Sequence, residues 1–181
     1  MQKLAFLFLL FCISGNMASA QNDAIRSVAD KKSSSITYSM KHPLHAWNGV
    51  SRDASSIILS EGKKGNIREV AVSVKVSSFD SKNANRDSHM LEVTEALKFP
   101  NLTFSGKVTS REGNRLKVNG ELTFHGVSRP VSFEASVTEK GDRLEVSGNF
   151  AVTLTEFNIQ RPTLMGLPVA DEIQVAFSMI Y

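Results

Sequence analysis

A period of two in hydropathy runs through this chain from residue 36 to its end and constrains the fold more than any other feature. Along residues 70–77, valines alternate with alanine, serine and lysine, which is typical of a strand with one apolar and one mostly polar face. The pattern recurs often enough to predict about eight strands. They are expected at 36–40, 51–60, 70–76, 102–108, 116–124, 131–137, 144–154 and 173–181.

Turn residues separate the later strands and favour a meander of hairpins. Glu112-Gly113-Asn114, His125-Gly126-Val127 and Lys140-Gly141-Asp142 each interrupt the alternation, and His125 is expected to serve the turn rather than chemistry. Strands that are apolar on one face need that face covered, which requires a sandwich or a barrel. Short sequential hairpins favour the barrel, because a Greek-key sandwich needs long crossing connections, and closure also removes exposed edges.

Two segments break the period of two. Residues 85–97 carry apolar side chains near helical spacing and are followed by Phe99-Pro100, so they predict a short inserted helix. Residues 157–168 contain two prolines and a glycine and are expected to form a long loop. The expected fold class is therefore all-β: an eight-stranded antiparallel up-and-down β-barrel with one short inserted helix.

The first twenty residues have the pattern of a secretory signal. Lys3 precedes an apolar stretch of about ten residues, too short to span a bilayer, and Ala18-Ser19-Ala20 forms a cleavage site. Cleavage after Ala20 predicts a periplasmic or secreted protein. Residues 21–33 are polar and expected to be flexible, which leaves residues 34–181 as one domain.

Composition and motifs argue against several classes of function. The single cysteine, Cys12, lies in the leader, so the remaining chain offers no disulfide or thiol nucleophile. Removal of Lys3 lowers the net charge from +3 to +2, and the scattered charges do not indicate a nucleic-acid-binding face. His42 and His45 flank Pro43 on a strand-like segment, so neither a metal nor another cofactor is expected. No G-x-S-x-G turn or Ser/His/Asp set indicates an enzyme, and a hydrolase is kept only as an alternative.

The interior of such a barrel either is filled by side chains or holds one small ligand. Gly106, Gly120, Ala135 and Gly148 share the inward faces with larger residues, which indicates either room for a ligand or bends that curve the strands. An apolar lumen would hold an apolar chain, because each buried methylene contributes roughly 0.8 kcal/mol. The residues predicted to line it are Val72, Val74, Phe104, Val118, Phe133, Phe150 and Phe177.

Three blocks of sequence, in this order, resemble the YceI-like family of bacterial polyisoprenoid-binding proteins. They read DSKNANRDSHM at 80–90, KFPNLTF at 98–104 and LTFHGVSRPV at 122–131. The likeness covers most of the chain beyond the leader and extends to His42, Trp47 and Gly49 and to Phe157-Asn158-Ile159. Pro43-Leu44-His45 departs from the family pattern, which leaves the detail of the barrel mouth open.

The resemblance implies a lipocalin-like antiparallel barrel, exported to the periplasm in Gram-negative bacteria, with an isoprenoid chain in its lumen and no catalytic residue. The implied partner is a polyisoprenoid, such as a prenyl phosphate or an isoprenoid quinone. His42, Arg86 and His89 are the candidate head-group contacts. For Arg86 an ion pair, and for Asp87 a helix cap, are the alternative structural roles. A homodimer is left open.

An integral outer-membrane barrel is the alternative of a different class. Residues 173–181 alternate and end in the aromatic Tyr181, as the last strand of such a barrel does. One Trp and two Tyr are too few for two aromatic girdles, however. The chain is therefore expected not to be embedded in a membrane.

Overall fold

The computed structural model describes residues 24–61 and 66–181. The predicted signal peptide and its cleavage site lie outside the described residues. The described part forms one large antiparallel sheet, one small hairpin and one α-helix. The elements are β1 (Ala24–Val28), β2 (Ser35–His42), β3 (His45–Ser51), β4 (Ser55–Glu61), β5 (Asn66–Lys75), α1 (Ala84–Val93), β6 (Asn101–Glu112), β7 (Arg115–Phe124), β8 (Val127–Lys140), β9 (Arg143–Thr153), β10 (Thr163–Leu164), β11 (Leu167–Pro168) and β12 (Glu172–Ile180).

The order of strands in the large sheet is the predicted meander with additions at its ends. From β4 to β9 each strand pairs with the next in sequence, β12 joins β9, and the β2–β3 hairpin follows β12. All of these pairings are antiparallel, and the sheet curls into a barrel with α1 inserted between β5 and β6. The all-β antiparallel barrel class is confirmed, with ten strands in the sheet rather than eight.

The two additional strands, β1 and β3, lie at the edges of the sheet. β1 falls within the segment 21–33 that was expected to be flexible, and it pairs with β4 from Ala24–Glu61 to Val28–Ile57. β3 pairs with β2 around the turn at Pro43-Leu44. The expectation of a flexible segment is therefore wrong for residues 24–28, because the backbone ladder with β4 holds this strand although its Ile25 and Val28 side chains are exposed.

Backbone hydrogen bonds join both edges to the rest of the barrel. Val50 of β3 and Asp80 donate to each other's carbonyls, both at 3.0 Å. Beyond β1, the Ala29 N–H donates to the carbonyl of Ser56 at 2.9 Å and the Asp30 N–H donates to that of Ile180 at 2.7 Å. The segment after β1 therefore links β4 to the end of β12.

A buried pair of hydroxyl groups lies beside this junction. The side chains of Ser56 on β4 and Tyr181 share a hydrogen bond, and Ser56 is fully buried. Burial raises the pKa of Tyr181 to about 12, since a phenolate would lose its hydration there, while the hydrogen bond with Ser56 opposes the shift. The pair is thus held in its neutral form.

Glycines on the inner face allow aromatic rings to lie against the wall of the barrel. Gly106 and Gly120 face each other across β6 and β7, and a Cβ added to either would lie 2.6 Å from Cζ of Phe104. Gly148 pairs with Phe177, whose Cζ would lie 2.9 Å from an added Cβ. The glycines therefore permit close approach of the rings, and the open space lies beyond those rings.

The inserted helix begins and ends differently from its prediction. Asn83 caps α1, because its side-chain oxygen accepts from the Arg86 N–H at 3.0 Å, whereas Asp87 accepts from the Ser81 N–H at 3.1 Å. The helix ends at Val93 rather than residue 97. The predicted loop 157–168 contains the small β10–β11 hairpin.

The close approach at Gly120 predicts a cost for adding even one methyl group. In Gly120→Ala the new Cβ would contact the Phe104 ring and the backbone of Ser105 and Gly106, so we expect the free energy of unfolding to fall by about 1–3 kcal/mol. Denaturant unfolding measures this change. Gly113→Asn is the control, because its site is open and asparagine tolerates a positive φ. Equal stabilities of the two variants would contradict the packing described.

The raised pKa of Tyr181 predicts that the pair contributes stability that is lost in alkali. The unfolded phenol releases its proton near 10.0 and the folded one only near 12, so the folded state binds more protons between these values and its stability falls as the pH rises. The loss is on the order of 2–3 kcal/mol. The double variant Tyr181→Phe with Ser56→Ala should lack this component when urea unfolding is compared below pH 10 and near pH 12. An alkaline loss as large in the variant as in the wild type would refute the assignment.

Candidate functional site

The barrel encloses a cavity of about 440 Å³. Nine of the ten strands of the large sheet contribute to its lining, and all seven residues predicted to line a lumen do so. Val72 and Val175 are only half-buried although they face inward, because they border open space. Whether these side chains contact a ligand stays a prediction, but the space for one exists.

Four phenylalanines form an aromatic wall on one side of the cavity. Phe133 stacks on Phe150 with ring centroids 5.0 Å apart and meets Phe177 edge-on at 5.5 Å. Phe104 extends the group, at 5.4 Å from Phe133. Because these rings come from β6, β8, β9 and β12, the wall extends across five neighbouring strands of the sheet and presents hydrocarbon to the lumen.

The exposed residues of the lining mark where the cavity opens to solvent. They concentrate on three segments. These are the β2–β3 hairpin, which includes His45, the first turns of α1, which include His89, and the segment at β10, which includes Leu164. Contacts between these three segments join them into one mouth. The guanidinium of Arg86 on α1 lies 4.9 Å from the centre of the Trp47 ring on β3. The Nε2–H of His42 donates to the Leu167 carbonyl at 3.1 Å and so joins the β2–β3 hairpin to the β10–β11 segment.

Arg86 carries the formal charge of the mouth. Among the lining residues of the described part it is the one side chain that is Lys, Arg, Asp or Glu. Its Nη1 donates to the Ser81 carbonyl at 3.4 Å, and its guanidinium stacks on Trp47, an arrangement that leaves donors for an anion. An ion pair was the alternative role predicted for Arg86. In the described part of the chain, the groups beside its guanidinium are instead the Ser81 carbonyl and the Trp47 indole.

His42 and His89, the other predicted head-group contacts, have different surroundings. His42 is buried, its Nδ1 accepts from the Leu44 N–H at 3.2 Å and its Nε2 donates to the Leu167 carbonyl at 3.1 Å. Both nitrogens are therefore used to hold the β2–β3 turn against the β10–β11 hairpin. His89 is exposed on α1, with Nδ1 3.4 Å from a carboxylate oxygen of Glu92. The structure brings all three residues to the mouth but leaves Arg86 and His89 freer than His42.

Tyr38 and Trp47 also line the cavity, and neither was among the seven lining residues predicted from the sequence. Burial raises the pKa of the Tyr38 phenol, and a hydrogen bond with the Trp47 side chain opposes that shift. The Tyr38 ring also meets Phe79 edge-on at 5.5 Å. The sequence held a signal for Tyr38, since Tyr38 and Met40 alternate with polar residues along β2.

The remaining histidine of interest, His125, serves the β7–β8 turn as predicted. It has a positive φ of 51°, and its ring lies between the Phe157 carbonyl at 3.0 Å and a carboxylate oxygen of Glu95 at 3.1 Å.

In residues 24–61 and 66–181, no group of three or more His, Cys, Asp or Glu side chains is arranged to hold a metal ion. Within the same residues, none of the helices has the length and apolar character to cross a membrane.

Known proteins resemble this chain in sequence and in fold. Protein YceI of Salmonella newport (strain SL254) is 28% identical over 153 residues, which cover 80% of this chain and 78% of that protein. Burkholderia cenocepacia BcnA has a TM-score of 0.75 at 20% identity, over 84% of this chain and 99% of BcnA. A polyisoprenoid binding domain from Saccharophagus degradans, implicated in plant cell wall breakdown, has a TM-score of 0.69 at 14% identity, over 88% and 98% of the two chains.

A family model also matches most of the chain. Residues 28–181 match the model of the YceI-like domain, so the match includes β2 to β12, α1 and all three segments of the mouth. Because that range is most of the chain, the protein belongs to the YceI-like family.

Proposed function

We propose that this protein is an exported carrier that holds the hydrocarbon chain of a polyisoprenoid in its barrel and performs no covalent chemistry on it. The observation that carries the proposal is the enclosed cavity of about 440 Å³, lined by apolar side chains with one formal charge at its mouth. Such a lining favours hydrocarbon, because each methylene removed from water contributes roughly 0.8 kcal/mol.

A polyisoprenoid is supported over other apolar ligands by the comparison with known structures. The domain from Saccharophagus degradans binds polyisoprenoid and shares this fold over nearly its full length. Because Arg86 lies at the mouth, we expect the hydrocarbon tail of the ligand to occupy the lumen and its polar head group to stay at the mouth beside solvent. A prenyl phosphate or an isoprenoid quinone meets this description.

Export is supported by the leader in residues 1–20, with cleavage after Ala20. A carrier of long hydrocarbon chains is useful in an aqueous compartment, since such a chain does not cross water unaided. The proposed location is therefore the periplasm or the exterior of the cell.

If the lumen holds the tail, then narrowing it should expel the ligand without unfolding the barrel. In Val72→Phe the added ring enters open space, so we expect at least a fivefold loss of bound lipid, on the order of 1 kcal/mol, and little change in stability. Ala71→Phe is the matched control, because Ala71 directly precedes Val72 on β5 and its side chain is exposed.

Two measurements test this prediction. Mass spectrometry of organic extracts identifies the lipid that co-purifies with each protein, and uptake of a fluorescent prenol from detergent solution measures the capacity of the lumen. We expect Ala71→Phe to match the wild type in both. If no lipid is extracted from the wild type and none is taken up, the carrier function is wrong.

The role of Arg86 predicts a change in head-group preference rather than a general loss of binding. Arg86→Gln removes the charge, so affinity for a prenyl phosphate should fall about tenfold while affinity for an uncharged prenol of equal length is kept. Titration of both ligands into wild type and variant measures the two affinities. Ser88→Ala is a control on the same helix, because Ser88 is exposed and does not line the cavity. Equal losses for both ligands would show that Arg86 only supports the fold of the mouth.

A further inference from the structure

Exposed apolar side chains are concentrated beside the mouth. Among the described residues seven large hydrophobic side chains are exposed, and four of them lie on two turns: Leu44 at 61%, Leu164 at 47%, Met165 at 82% and Leu167 at 44%. We call these two turns, residues 43–44 and 163–168, the rim. An exposed cluster of this kind marks a site of interaction more often than scattered single residues do.

The two turns are fixed to one another. The imidazole of His42 donates to the Leu167 carbonyl at 3.1 Å, and the Ala170 N–H donates to the Lys41 carbonyl at 2.7 Å. Leu164 also lines the cavity. The rim is therefore one apolar surface that continues into the lumen.

The residue types on the rim differ from those at other turns of the same barrel. The β6–β7 turn carries Gly113 and Asn114, and the β8–β9 turn carries Gly141 and Asp142. At the tip of β10–β11, Met165 occupies a positive φ of 52°, a position for which asparagine or glycine is the usual choice. The tip of this turn therefore carries an apolar side chain at a backbone position that favours asparagine or glycine.

The two segments that carry the rim contain basic residues and no acidic residue. Residues 41–48 and 158–170 include Lys41 and Arg161 but neither Asp nor Glu. Basic residues flanking an exposed apolar cluster suit the surface of a bilayer, where hydrocarbon lies beneath phosphate groups.

We propose that the rim docks onto a lipid bilayer and that the lipid enters the lumen from that bilayer directly. This inference rests on the proposed carrier function, because it concerns how the same cavity is loaded. With Leu44 and Met165 inserted among the head groups, the mouth faces the bilayer and the hydrocarbon chain passes into the lumen without crossing water. The occupant of the rim is thus a lipid surface.

The test substitutes rim residues that do not line the cavity. The double variant Leu44→Ser with Met165→Ser should bind vesicles of phosphatidylcholine and phosphatidylglycerol at least about tenfold more weakly than the wild type, as measured by co-sedimentation. Transfer of a fluorescent prenol from these vesicles should slow by a similar factor. Uptake of the prenol from detergent solution should be unchanged, because the lumen is intact.

Val28→Ser is the matched control. Val28 is 56% exposed and lies beside Ala29, which packs in one cluster with Ile36. Ile36 is six residues along β2 from His42, so this surface lies roughly 20 Å from the rim. The control should bind vesicles and transfer prenol as the wild type does.

The outcomes separate the two proposals. Wild-type and rim-variant proteins that bind vesicles equally would overturn bilayer docking while detergent uptake still supports the carrier. A wild type that binds vesicles but takes up no prenol from detergent would overturn the carrier function. Self-association of the wild type that the rim substitutions abolish, without vesicle binding, would assign the rim to a second copy of the chain and overturn bilayer docking too.

Discussion

The inner face of the sheet must be removed from water, and this requirement governs the rest of the structure. The eight inner strands of the sheet alternate with a period of two and give it one continuous apolar face, and curling brings that face onto itself. The circumference grows with the number of strands, so the side chains of a wide barrel cover the wall without filling the centre. The cavity is thus a consequence of the same alternation that stabilises the barrel.

Closure of the barrel uses backbone groups at its edges as well as apolar packing. β3 is held by two bonds with Asp80, and the segment after β1 bonds to both β4 and the end of β12. Unsatisfied backbone groups at those edges would be costly if buried and would invite pairing with other chains if exposed. The buried Ser56–Tyr181 pair belongs to the same junction, where a neutral hydrogen bond lies beside apolar contacts of the Tyr181 ring.

Sequence reasoning recovered the features that repeat and missed those that depend on neighbours. The alternation located β5 to β9 and β12, and it identified seven residues of the lining. It did not reveal β1 or β3, because edge strands held by their ladders need no alternation. The sequence did not decide whether the lumen is open, because a glycine on an inner face either leaves room for a ligand or allows the strand to bend. In the structure, Gly106 and Gly120 make room for a side chain, since the ring of Phe104 lies over both.

The mouth shows why a residue type alone does not define a role. Three basic or titratable side chains were candidates for a head group, yet His42 has both nitrogens engaged by backbone and acts as the link between two turns. Arg86 is held from one side by Trp47 and the Ser81 carbonyl, so its charge is positioned without being neutralised by a carboxylate. The lumen therefore selects for hydrocarbon in general, and discrimination among hydrocarbon ligands falls to the few polar groups where the barrel opens.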